Sequence, residues 1–136
     1  MSIARGRHGA RRLLLQALYQ KQVGEHDDKT LRLQFTESDE FAEIDDEFFR
    51  AVLDEVLQGH EDINRHIDTF ADRPVEQLDP IERAVLWIGF AELRSHPDVP
   101  TKVAINEAVE LAKEFGTEDS FRYINAILDK ASGELR

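Results

Sequence analysis

The sequence predicts an all-helical fold in a single domain spanning residues 1–136. Three observations carry that expectation. Apolar residues recur at three- and four-residue spacing through most of the chain. The four prolines and seven glycines fall mostly between those periodic stretches. Asp79-Pro80-Ile81-Glu82 combines an N-cap, a proline at the first helical position and a capping-box glutamate.

The first helix is expected from about Gly9 to Val23. Leu14, Ala17 and Leu18 face a core, and Gly24 ends the helix. At about 100° per residue, Arg12, Gln16 and Tyr19 fall together on a different face. Residues 25–46 are acidic and less regular. Leu31, Leu33 and Phe35 alternate as a short strand would, but no partner strand is visible, which favours a short helix. From Asp45, a broad apolar stripe runs through Phe48, Phe49, Val52, Leu53, Val56 and Leu57. It continues past Gly59 in Ile63, Ile67 and Phe70, as one helix broken at the glycine or two in line. The helix that opens at Asp79 is apolar nearly all round and is expected to be the central one. Pro97 and Pro100 mark a loop, and the next helix covers about Val103 to Phe115. Thr117 is read as the cap of a last helix that carries Ile124, Ile127, Leu128 and Ala131 and ends at Gly133.

Composition narrows the function. There is no cysteine, so disulfides, thiolate metal sites and thiol nucleophiles are excluded. No apolar run approaches the roughly 20 residues of a membrane span, and the basic start lacks the apolar core of a signal peptide. A cytoplasmic location is the resulting expectation. No phosphate-binding glycine loop, dinucleotide fingerprint or nucleophile elbow is present. The five histidines include no pair at metal-binding helical spacing, and Asp62 with His66 reads as a surface ion pair or as plainly solvated. No enzymatic activity, cofactor or metal is expected.

The charge is unevenly placed. The chain carries a net −11, yet residues 1–21 hold Arg5, Arg7, Arg11, Arg12 and Lys21 and no acid. The remainder sets twelve basic side chains against 28 acidic ones, a net of −16. A basic head on an acidic body fits a nucleic-acid contact, and on charge alone it fits a solvated terminus equally well. Ser120-Phe121-Arg122-Tyr123-Ile124-Asn125 is the second unusual stretch. Phe121 and Tyr123 cannot both share the stripe of Ile124 and Ile127. An aromatic left at the core's edge beside Arg122 and Asn125 is either a base-stacking platform or a packing contact with a neighbouring helix.

Read in order, IERA, a short proline loop, KVAINEAVELAK, FGTEDS and an N-x-hydrophobic-L-D-K ending closely resemble the carboxy-terminal half of the NusB transcription antitermination family. ARRLLLQALYQ resembles that family's first helix, and residues 24–77 are the least distinctive. The resemblance implies about seven helices arranged as two small antiparallel bundles packed into one domain. It implies binding of boxA-type single-stranded RNA together with NusE, a small-subunit ribosomal protein, within the transcription elongation complex that makes ribosomal RNA. Carried over by position, the RNA surface comprises Arg5, Arg7, Arg11, Arg12, Gln16, Phe70, Asp119, Ser120, Phe121, Arg122, Tyr123 and Asn125. The protein-partner surface comprises Tyr19 and Glu82. The family's arm is often denser in arginine than RGRHGARR, which His8 and Gly9 interrupt. That and the acidic body fit dependence on a basic partner. The family includes monomers and dimers, and a homodimer would cover the RNA face. Two rivals stand beside the RNA adaptor: a helical protein-interaction module without RNA binding of its own, and a regulatory fragment of an RNA-modifying enzyme.

Overall fold

A computed structural model describes residues 5–136. It contains six α-helices: α1 (Gly6–Val23), α2 (Asp28–Thr36), α3 (Asp46–Phe70), α4 (Pro80–Ser95), α5 (Thr101–Phe115) and α6 (Ser120–Leu135). Short 3-10 turns occupy Asp39–Glu43 and Val75–Gln77. No strand occurs among the described residues; a single isolated bridge joins Gly6 to Ile44. No described helix is long and apolar enough to cross a membrane.

Helices α1–α3 form one bundle and α4–α6 the other, and α4 joins them by packing on α1, α3, α5 and α6. Its all-round apolar surface requires this position. Eleven of its residues are buried, from Glu82 through Leu93. The helix begins as its sequence dictates. Asp79 Oδ1 accepts from the Glu82 amide at 2.8 Å, and Glu82 Oε1 accepts in return from the Asp79 amide at 3.4 Å. At its other end, the Arg136 guanidinium donates to the carbonyls of Glu92, Leu93 and His96 and so ties the end of α6 to the last turn of α4. Where α4 crosses α6, Gly89 permits the approach: a Cβ there would lie 2.9 Å from both Leu128 methyls.

Helix α3 is kinked at Gly59, whose ψ of 22° departs from the helical range. Counting its two halves separately gives seven helical segments. Arg94 spans the kink, bonding Glu55 on one side at 3.1 Å and Asp62 on the other at 2.9 Å. Asp62 also accepts from Arg65 at 2.9 Å, and among the described residues it forms no ion pair with His66.

The helix ends differ from the sequence reading in four places. α1 starts at Gly6 and α5 at Thr101, each a turn or less earlier than expected. α6 is not capped by the Thr117 side chain; instead the Ser120 hydroxyl donates to the Thr117 carbonyl at 2.9 Å. The last helix also runs through Gly133 to Leu135, because Arg136 anchors its end on α4.

One charged pair lies inside the core. Arg11 and Glu92 are only 3% and 1% exposed and meet through two hydrogen bonds, Nε to Oε2 at 2.9 Å and Nη2 to Oε1 at 2.6 Å. The Arg11 guanidinium also lies 5.1 Å from the centre of the Phe48 ring and 3.6 Å from Glu107. Burial pushes the Glu92 carboxyl above its ordinary range in spite of Arg11. Such a pair fixes geometry more than it adds net stability.

Two stability tests follow. Glu92→Leu leaves Arg11 buried without its partner and is expected to cost about 3–5 kcal/mol in urea unfolding, while Arg11→Met with Glu92→Leu restores most of the loss. Glu55 tests the pH response. Burial opposes its charge, but hydrogen bonds from His96, Ser95 and Arg94 prevail and hold the carboxyl below its ordinary range. A carboxylate depressed on folding stabilises above its unfolded pKa, and that contribution is lost as pH falls through the folded value. Glu55→Gln should therefore lose roughly 1–3 kcal/mol at neutral pH and converge on the parent only as pH falls below the depressed folded value, as read by unfolding at a series of pH values.

Candidate nucleic-acid interface

The exposed face of α1 is set by what the helix buries. Leu14, Leu15, Ala17 and Leu18 enter the core with Arg11, which leaves Arg12, Gln16 and Tyr19 on the outer side. Tyr19 is 41% exposed. The Arg12 guanidinium lies 5.1 Å above the Phe115 ring and is paired with Glu114 at the end of α5. Below it a groove of about 350 Å³ runs between helices, walled by Gln16, Tyr19 and Gln20 of α1, Phe35 of α2, Ile81 of α4 and Phe115.

The start of α6 forms the second part. A polar concavity of about 680 Å³ is lined by Arg73, Asp79, Glu82, Thr117, Asp119, Ser120, Arg122 and Tyr123. Tyr123 is half-buried, with the Arg73 guanidinium 4.4 Å from its ring centre, and its hydroxyl has no hydrogen-bond partner. Phe121 is also half-buried, between the Lys113 ammonium at 5.2 Å and the Arg122 guanidinium at 5.6 Å. Both aromatics thus lie at the edge of the core, each against a cation. Asp119, Arg122 and Asn125 are exposed. The groove and the concavity share the first turn of α4, since Ile81 lines one and Glu82 the other.

Several expected site residues lie elsewhere than a surface reading requires. Arg11 is a core residue, held by Glu92, and its side chain is not presented to solvent. Ser120 is buried beneath Gly116, where a Cβ on the glycine would come within 2.3 Å of the serine oxygen. Glu82 is only 8% exposed, and burial together with the nearby Asp79 charge pushes its carboxyl above the ordinary range. It is a wall of the concavity and a member of the capping box, not a free surface acid. Phe70 ends α3 with its ring 6.4 Å from that of Phe90 and lines neither the groove nor the concavity. Arg5 and Arg7 lie at the opening of α1, Arg7 with its guanidinium 4.8 Å from the Phe48 ring centre. Sequence reasoning missed Arg73, Lys113 and Phe115. Arg73 falls in the least distinctive stretch, and the other two were absorbed by their fit to the end of α5.

The family model described as the NusB family matches residues 8–132. This chain belongs to the NusB family. The transcription antitermination protein NusB of Alcanivorax borkumensis is 43% identical over 130 residues, covering 96% of this chain and 87% of the relative. That of Idiomarina loihiensis is 40% identical over 130 residues, covering 96% and 94%. Among solved structures, T. maritima NusB superposes with a TM-score of 0.82 at 26% identity, covering 94% of this chain and 91% of the other. The NusB fold thus accounts for both bundles and for the arm-bearing first helix.

The Glu82 site yields a stability prediction. Glutamine preserves the capping-box hydrogen bond, so Glu82→Gln should stay within about 0.5 kcal/mol of the parent. Glu82→Lys loses that bond and buries a cation near Arg73, and should cost roughly 1–3 kcal/mol in chemical unfolding. Equal stability of the two variants would show that neither the cap nor the burial matters.

Proposed function

We propose that this NusB-family chain is a transcription antitermination adaptor that binds boxA-type single-stranded RNA together with NusE at the cytoplasmic elongation complex. The observation that carries this reading is the continuity of one face. Arg12, Gln16 and Tyr19 lead through the first turn of α4 to a concavity holding Tyr123, Arg73 and Arg122. Arginine forks match phosphate, and half-exposed aromatic rings beside cations match unstacked bases. In this reading Arg5, Arg7 and Arg12 take the backbone, while Phe121 and Tyr123 take bases, with Asp119, Arg122 and Asn125 beside them. Arg11 supports the arm from within. NusE docks where Tyr19 and the Glu82 turn meet, and a basic ribosomal protein suits a body of net −16.

The pairing of the arm's cations with carboxylates favours the rival reading, a protein-interaction module without RNA affinity of its own. Titration of boxA-type RNA with and without NusE separates the two. The adaptor is expected to bind RNA weakly alone and more tightly with the partner; no binding in either condition supports the rival.

Two sets of variants test the assignments. Arg7→Ala with Arg12→Ala should weaken RNA binding and flatten its dependence on salt, with thermal stability almost unchanged; an unaltered salt slope removes the arm from the interface. Tyr123→Ala should cost roughly 1–3 kcal/mol of RNA affinity in protein that remains folded by circular dichroism. Parent affinity in the folded variant would assign Tyr123 to packing alone.

A further inference from the structure

The arm's exposed arginines are already occupied by acids of the same chain. Arg5 lies 3.5 Å from Glu43 in the first 3-10 turn. Arg7 lies 2.8 Å from Asp98 in the loop between α4 and α5. Arg12 pairs with Glu114 in the last turn of α5. The acids come from three separate elements and converge on one short segment.

Local helix energetics do not account for this arrangement. Cations at the start of α1 and an acid at the end of α5 each oppose the dipole of their own helix. The pairs offset that opposition only across helices. They are also partly exposed, with side-chain exposures from 29% to 75%. Pairs so placed contribute little to folding and are readily exchanged. The Arg7 hydrogen bond holds the Asp98 carboxyl below its ordinary range. Arg11 of the same helix is the contrast, since its pair with Glu92 of α4 is buried and closed to an incoming ligand.

We propose that Glu43, Asp98 and Glu114 are specificity-determining residues that compete with RNA phosphates for the arm and thereby suppress binding of non-cognate RNA. The inference rests on the RNA-binding reading given above. An incoming phosphate must displace a carboxylate, and the liberated acid then repels the RNA backbone until it takes up a cation. RNA that offers phosphates alone gains little from the exchange. RNA whose bases also stack on the α6 face gains enough to complete it. Cation uptake by the freed acids subtracts from the counterions that RNA releases, so the salt dependence of the parent protein is shallower than its number of phosphate contacts implies.

The test uses Glu43→Gln, Asp98→Asn and Glu114→Gln combined, titrated by fluorescence anisotropy with boxA-type RNA and with a scrambled RNA of equal length, over a range of salt. Asp45, whose Oδ2 lies 3.4 Å from Arg7 as a second partner, is left intact because it caps α3 through the Phe48 amide. A second triple, Glu25→Gln, Glu61→Gln and Glu134→Gln, removes the same charge from exposed positions outside the described arm pairs. Thermal unfolding verifies that both triples are folded. The arm triple should bind the scrambled RNA roughly 10-fold more tightly, gain less for the boxA-type RNA, and show a steeper salt slope. Unchanged or weaker binding of scrambled RNA overturns the proposal, as does an equal gain in the second triple, which would reduce the effect to net charge. Arg7→Ala with Arg12→Ala in the parent distinguishes the levels of failure. If it weakens RNA binding while the arm triple behaves as the parent does, only the competition is wrong. If it changes nothing, the RNA face itself is wrong and the competition falls with it.

Discussion

The contact between Arg11 and Glu92 is the constraint on which the rest of the molecule depends. It joins α1 of one bundle to α4 of the other through two parallel hydrogen bonds, with Phe48 of α3 and Glu107 of α5 closing the remaining sides. A guanidinium bound in a fork tolerates little rotation about the helix axis. Arg12 is the next residue, about 100° further round. With Arg11 fixed inward, Arg12, Gln16 and Tyr19 are fixed outward. The buried charge costs desolvation, and its return is the definition of one helix face.

The same logic divides the arm's cations into two classes. One side chain is structural and beyond the reach of a ligand; the others sit on the surface in loose ion pairs. A sum over residues 1–21 treats them alike, although their environments differ by more than any difference between arginine and lysine. The acidic body is likewise not a uniform field. Asp79 and Glu82 cap α4, Glu55 and Asp62 secure α3 across its kink, and Glu92 lies in the core. Only part of the −16 is free of a structural role within the fold.

How much could be read beforehand follows from the range of each interaction. The start of α4 was legible because its capping box closes over four residues, and its central position because nearly every side of it is apolar. The split of Arg12, Gln16 and Tyr19 from the leucine stripe needed only helical geometry. Arg11 was misjudged because its partner lies 81 residues away, and no local pattern reports a tertiary contact at that distance. The burial of Ser120 was hidden for a related reason, since it depends on the close approach of Gly116. Glu82 was recognised as a cap but not as buried, because its burial depends on tertiary packing around a concavity that it shares with residues of α6. Gly133 failed to end α6 because an arginine three residues later holds the helix end to α4.

The sole tryptophan of the chain, Trp87, lies on the inner side of α4, and its indole nitrogen donates to Asn64 of α3 at 2.7 Å, with the His60 ring 5.5 Å away. The indole therefore sits on the seam between the bundles, whereas the aromatic rings at the candidate RNA face are phenylalanine and tyrosine. Excitation selective for tryptophan accordingly reports whether the bundles remain joined, with little interference from events at the ligand face. The fold carries its own optical gauge of integrity, separate from the surface that recognises anything else.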